Sequence, residues 1–363
     1  MSPLDIQSGP VRAEAPPRAA TAPPPEARPW SAADGGVGMA FGIFGLAALQ
    51  AIPPAARWLT RPLAFALLVL WLLFMAAYLR AFLAGEAQAY LRPLVGRFAI
   101  GTWVADSAVT GEFLLYAAPG WRPVAMALAA IGLLVWVWYA KVALRGFARM
   151  LADPDSCRAR GLILLTTVSI QALVLVALKL FPRVRLVAEL ATVPIGVGYV
   201  VYGLGAALVF HRFLRIGTWH LEEDWDDTNC ILHGAVSISG LAAVSCPFFP
   251  DYLCLLSWAF AAAMVVLVEG VELARLAVRV RHLGWERGAF VYNVSQWARV
   301  FTFGMFYAFT LAYVQRFGFA DDPGWAVALQ RAILAYGQYV VALTLLADLA
   351  MFLRARLGGA AQR

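Results

Sequence analysis

Apolar residues run along this chain in ten long blocks, near 35–54, 62–83, 97–118, 122–146, 160–181, 184–210, 229–247, 252–277, 289–315 and 325–353. A helix needs about 20 predominantly apolar residues to cross a bilayer, and each block is close to that length. Proline and glycine punctuate the gaps, at Pro53-Pro54, Pro119-Gly120, Pro182, Pro247 with Pro250, and Pro323-Gly324. These residues break helices where none needs to continue. The pattern predicts an all-α integral membrane protein with ten transmembrane helices.

The odd and even blocks differ in kind. Blocks two and four contain no Ser, Thr, Asn or Gln and are apolar all round, as helices facing lipid are. Block one carries five glycines, at 35, 36, 38, 42 and 45. Block three holds Thr102, Asp106, Ser107, Thr110 and Glu112; block five holds Thr166, Thr167, Ser169 and Gln171. Block seven holds His233, Ser237, Ser239 and Ser245, and block nine holds Asn293, Ser295, Gln296, Arg299, Thr302 and Thr310. Polar groups at bilayer depth are costly and face a bundle interior or water. The economical arrangement puts five odd helices inside, lining a polar path, with five even helices around them. The competing reading is that the hydroxyls and small residues join helices to one another. Block ten breaks the alternation with Gln330, Arg331, Gln338, Thr344 and Asp348.

Composition agrees with the bilayer as solvent. Apolar residues make up 62% of the chain and charged residues 14%, against about 25% charged in soluble domains. The net charge of +7 points to loops at an anionic membrane surface and not to nucleic acid. With the N-terminus inside, twenty Lys and Arg fall in cytoplasmic segments and seven in outer ones, the seven being Arg57, Arg61, Arg122, Lys179, Arg183, Arg185 and Arg316. That asymmetry places both termini in the cytoplasm, across the cell inner (plasma) membrane. Residues 1–34, with eight prolines, form a disordered tail that cannot bury a core. The membrane domain spans 35–354 and a short cytoplasmic tail spans 355–363. Cys246 and Cys254 flank one short outer loop, where a disulfide is one option.

Charges inside the blocks are the candidate chemistry. Asp106, Glu269 and Arg299 share one depth at 1.5 Å rise per residue, so Arg299 pairs with Asp106 or with Glu269. An unpaired Arg299 would bind a permeating anion; a titrating Asp106 or Glu112 would couple a proton to transport. A charge-balanced pair would only fix helix packing. The loop Glu222-Glu-Asp-Trp-Asp-Asp227 puts five acids before block seven, as helix N-termini favour. The sharper alternative is a sensor for a divalent ion or a basic partner segment. Of the four histidines only His233 lies within a block, too few for haem or metal. No P-loop, nucleophile elbow or zincin motif is present, so no cofactor and no enzymatic activity are expected.

Four stretches carry a family likeness: Arg97-Phe-Ala-Ile-Gly-Thr-Trp103, Leu165-Thr-Thr-Val-Ser-Ile-Gln171, Asn229-Cys-Ile-Leu-His-Gly-Ala-Val-Ser237 and Phe301-Thr-Phe-Gly-Met305. Over all ten blocks the chain resembles the tellurite-resistance/dicarboxylate transporter family, which holds bacterial tellurite-resistance channels, malic acid transporters and plant slow anion channels. The resemblance implies a homotrimer with a separate pore in each protomer, passing small inorganic or organic anions. It implies a phenylalanine gate on block nine, at Phe303 with Phe306 as the alternative and Phe301 ranked behind both. Pore-lining or substrate-binding roles then fall to Arg299, Asp106, Thr110, Ser169, Gln171, His233 and Ser237. The sequence departs from the family pattern in having no mid-block proline in blocks three, five, seven and nine. A proton-coupled organic acid carrier and a non-transporting scaffold or sensor remain alternatives.

Overall fold

The computed structural model describes residues 31–360 apart from 87, 218, 320 and 321, and every regular element among them is helical. The α-helices are α1 (Gly35–Ile43), α2 (Pro53–Leu83), α3 (Gln88–Leu91), α4 (Gly101–Ala117), α5 (Arg122–Ala152) and α6 (Leu165–Leu180). They continue with α7 (Arg185–Arg215), α8 (Leu221–Asp224), α9 (Ile231–Ser245), α10 (Asp251–Gly288), α11 (Trp297–Phe317) and α12 (Gly324–Ala360). Tight 3-10 turns lead into α1, α4, α6, α9 and α11, at Ala32–Asp34, Gly96–Ile100, Gly161–Leu164, Asp227–Cys230 and Val294–Gln296.

Side-chain caps fix three of these starts. The Ser31 hydroxyl accepts from the Ala33 amide, the Asp226 carboxylate from Thr228, and the Asn293 side chain from Ser295. Such caps satisfy amide donors that a helix start leaves free. Four of the five long helices between them start at proline: Pro53 and Pro54 open α2, Pro123 stands in the first turn of α5, and Pro250 and Pro323 precede α10 and α12. Proline's fixed φ suits the first turn and its missing N–H is not needed there.

The five helices led by 3-10 turns close a ring. Helix α1 packs on α4, α4 on α6, α6 on α9, α9 on α11, and α11 returns to α1. The other five long helices cover its grooves: α2 over α1 and α4, α5 over α4 and α6, α7 over α6 and α9, and α10 over α9 and α11. Helix α12 lies on α11 and on the π-turn Phe44–Ala48 that extends α1. Close approach within the ring depends on glycine. A Cβ at Gly38 of α1 would fall 2.0 Å from Asp106 Oδ1 on α4, and one at Gly234 of α9 would fall 2.1 Å from Thr302 Cγ2 on α11.

The covering helices turn leucine and valine outward. Leu134 is 72% exposed, Val200 and Val266 are each 73% exposed, and Leu343 is 66% exposed. Apolar faces of that extent belong in lipid. Exposed tryptophans mark both rims, with Trp58, Trp121 and Trp325 at one end and Trp219 and Trp285 at the other, as at membrane–water interfaces. Seven helical stretches are long and apolar enough to cross a membrane: Ala32–Ala51, Pro53–Leu83, Pro119–Ala152, Gly161–Leu180, Arg185–Arg215, Asp227–Ser245 and Asp251–Gly288. The protein is accordingly a membrane protein. Helices α4, α11 and α12 complete the array but are not among the seven, and they carry Asp106 and Glu112, Arg299 and Arg316, and Arg331 and Asp348.

Some expectations shift. Ala32–Asp34 is ordered structure that caps α1, so the tail boundary at 34 lies inside the fold; residues 1–30 lie outside the described residues. Helix α12 continues to Ala360, past the boundary at 354. The ninth block begins at 294 and not at 289, because Asn293 caps it. All four cysteines are free thiols, and Cys246 donates instead to the Ala188 carbonyl.

Candidate functional site

Two chambers lie within the ring, and all five ring helices with their leading turns contribute to the walls of each. The larger holds about 450 Å³. It opens at the ends where the ring helices finish. Its walls are mostly apolar, with Ile43, Leu46, Val109, Leu175, Ile238, Leu241, Met305 and Leu311 among them. Near its mouth every ring helix and its extension places polar side chains: Gln50, Glu112 with Tyr116, Lys179, Ser245 and Gln315. The smaller chamber, about 40 Å³, lies toward the helix starts and is lined by Met39, Thr102, Leu165, Thr228, Ile231, Ser295 and Phe301 among others. Helix α11 reaches the small chamber with Phe301 and the large one with Met305, four residues later and so on the same helical face. Helix α1 does the same with Met39 and Ile43. All four are 2% exposed. A closely packed apolar layer therefore separates the chambers.

The nine residues singled out from the sequence occupy other faces of the ring helices, and none of them is among the side chains lining either chamber. Phe303 stacks on His233 at 5.8 Å between ring centroids, and Phe306 stacks on Trp258 of α10 at 6.3 Å. Gln171 turns toward α7, donating to the Ile195 carbonyl at 3.1 Å. Ser169 and Ser237 bond back to carbonyls of their own helices, at Thr166 and His233. Thr110 donates to Asp106 Oδ1 at 3.2 Å, and Asp106 is fully buried with Oδ2 lacking a hydrogen-bond partner.

Other hydroxyls join helices, as the competing reading of the sequence had it. Trp71 of α2 donates to Ser107 Oγ at 2.8 Å, Trp258 of α10 donates to Thr310 Oγ1 at 3.0 Å, and Tyr139 of α5 bonds Thr166 Oγ1 at 3.1 Å. Polar atoms on ring helices are thus docking points for the aromatic tips of the outer layer. A buried polar atom must find a partner, and the nearest partners lie between helices and not on the axis.

Arg299 and His233 meet in a separate network between α9, α10 and α11. His233 Nε2 lies 3.2 Å from Glu269, Arg299 lies 3.4 Å from Glu269 and 3.2 Å from Glu272, and Arg275 lies 3.3 Å from Glu272. Arg275 also pairs with Asp227, which accepts from Asn293 and Ser295. Of the two partners offered to Arg299, the structure selects Glu269, and Asp106 makes no salt bridge to it because it points at α1. Glu272 and Arg275 were missed. Their spacing of three and six residues from Glu269 on one helix face was the available signal.

The acidic loop is used internally. Asp226 pairs with Arg160 at 2.6 Å and Glu222 with His282 at 3.1 Å. Among the described residues no group of three or more His, Cys, Asp or Glu could hold a metal ion. Outside the helices, Asp153 is held below the ordinary carboxylate range by hydrogen bonds from Ser156.

No protein-family model and no curated protein matches this chain.

Proposed function

We propose that the chain is a transport protein of the tellurite-resistance/dicarboxylate type, in which small anions pass along the axis of the five-helix ring. The observation that carries this is the pair of chambers on one axis, each walled by all five ring helices and separated by the apolar layer of Met39, Ile43, Phe301 and Met305. An apolar constriction between wetted chambers blocks ions by excluding water. On this reading the resting state is closed, and the barrier side chains on α11 are Phe301 and Met305. Helices α4, α11 and α12 cross the membrane with the other seven, giving ten spans. The arginine-rich helix starts face the cytoplasm, as do both termini. The membrane is the cell inner membrane, and the assembled form is a homotrimer with one path per protomer.

Chloride efflux from liposomes holding purified protein tests the path. The expected result is little efflux from wild type and efflux raised about tenfold or more in Met305→Ala, since an apolar barrier of a few kcal/mol is removed. Equal efflux from both, at equal protein content, would reject the axial barrier. Light scattering of the purified protein in detergent gives the copy number.

A second reading has its own observation. Asp106 Oδ2 is a buried carboxylate oxygen without a partner, the kind of group that carries a proton in coupled carriers. Uptake that depends on an inward proton gradient and is lost in Asp106→Asn would favour a coupled organic acid carrier over a channel.

A further inference from the structure

Two ionisable side chains line the large chamber. Glu112 comes from α4 and Lys179 from α6. Neither makes a hydrogen bond or a salt bridge among the described residues. Around them Gln50 is already engaged, donating to the Gly45 carbonyl and accepting from Tyr116. Lys179 is therefore a cation open to a solute at this mouth, and the Glu112 carboxyl lines the same chamber. Beneath them the wall becomes leucine, isoleucine, valine and methionine.

Each feature restricts the solute. An ammonium group favours a carboxylate or similar head. The apolar wall favours a solute that brings an apolar body, because a naked inorganic ion gains nothing there in place of its water. Glu112 in its ionised form disfavours a second negative charge close to the first, since like charges across a low-dielectric site repel strongly.

Taking the axial chamber as the solute site proposed above, we infer that it selects monocarboxylates with an apolar body: Lys179 meets the carboxylate, the leucine-rich wall takes the body, and Glu112 excludes dicarboxylates. This is narrower than the resemblance implied, and it reverses the expectation for dicarboxylates.

The test is equilibrium binding of radiolabelled 4-methylpentanoate to the purified full chain in lipid nanodiscs, with empty nanodiscs as background. Succinate and leucine compete. In wild type succinate is expected to compete about tenfold or more weakly than unlabelled 4-methylpentanoate. Lys179→Gln should weaken binding of the label about tenfold or more. Glu112→Gln should close the gap to succinate while leaving 4-methylpentanoate as tight or tighter, a gain that a misfolded protein cannot give. Equal competition by succinate in wild type would overturn the inference, as would unchanged binding in Lys179→Gln. Leucine competing better than 4-methylpentanoate would overturn it too, because Glu112 would then be an ammonium site. Binding as expected with no flux of 4-methylpentanoate in Met305→Ala would keep the assignment of the chamber and reject the transport reading.

Discussion

The ring helices and the helices that cover them solve opposite problems with the same backbone. In the ring segments Gly161–Leu180 and Asp227–Ser245, 83% and 89% of the most apolar stretch is buried; in Pro53–Leu83 and Pro119–Ala152 of the outer layer the shares are 28% and 22%. Ring segments are short, with 16 residues in α6 and 15 in α9, whereas α10 and α12 have 38 and 37. The ring is where glycines, hydroxyls and the fully buried Asp106 and His233 lie. The outer layer is mostly leucine, valine and aromatic residues, with polar groups turned inward, among them Glu269, Glu272 and Arg275 of α10. Lipid does not drive helices together as water does, so close packing and hydrogen bonds must. The difference teaches that polarity in the ring first serves assembly, and that its direction decides whether it also serves a path.

That comparison can be broken most severely at the charge network. Arg299→Ala leaves Glu269 and Glu272 without their shared cation in a buried site, and a loss of about 3–5 kcal/mol is expected. It would be read as a large fall in unfolding temperature in detergent. A fall no greater than that of an outer-face substitution would mean that water already compensates these carboxylates.

Next in size is Gly38→Ala, which drives a Cβ against Asp106 and forces α1 from α4; about 1–3 kcal/mol is expected. Its counterpart is Gly196→Ala on α7, where a Cβ meets nothing within 4 Å. That change should be neutral or stabilising by up to about 1 kcal/mol, through helix propensity. Equal effects at the two glycines would erase the distinction between the layers.

Smaller still is Ser107→Ala, which orphans the Trp71 indole N–H and should cost about 1–2 kcal/mol. Trp71→Phe in the same background should recover part of that loss, because the unpaired donor is gone. Smallest is Leu134→Ala on the lipid-facing side of α5, within about 0.5 kcal/mol of wild type.

Much of this architecture was legible in the chain. Block lengths and proline breaks located the helices, and the contrast between blocks two and four and blocks three, five, seven and nine separated the buried layer from the exposed one. Helix ends were less legible, because Ser31, Asp226 and Asn293 set them through local caps that hydropathy does not register. The site was least legible. Residue type said that Thr110, Ser169, Gln171 and Ser237 are buried, but not whether they face the axis or a neighbouring helix. That depends on rotation about each helix axis, where about 100° per residue separates Phe301 from Phe303 by more than half a turn. Asp227, Glu272 and Arg275 became visible only once α10 was laid across α9 and α11. Lys179, counted from sequence as an outer-loop cation, proved to share a chamber with Glu112.

The most direct test of the axial path compares two phenylalanines two residues apart on α11. Anion efflux is measured from liposomes holding Phe301→Ala or Phe303→Ala beside wild type, at equal protein content. Phe301 lines a chamber and Phe303 packs on His233, so efflux should rise in Phe301→Ala and stay at the wild-type level in Phe303→Ala. A rise in Phe303→Ala alone would place the barrier between α9 and α11 and contradict the path along the ring axis.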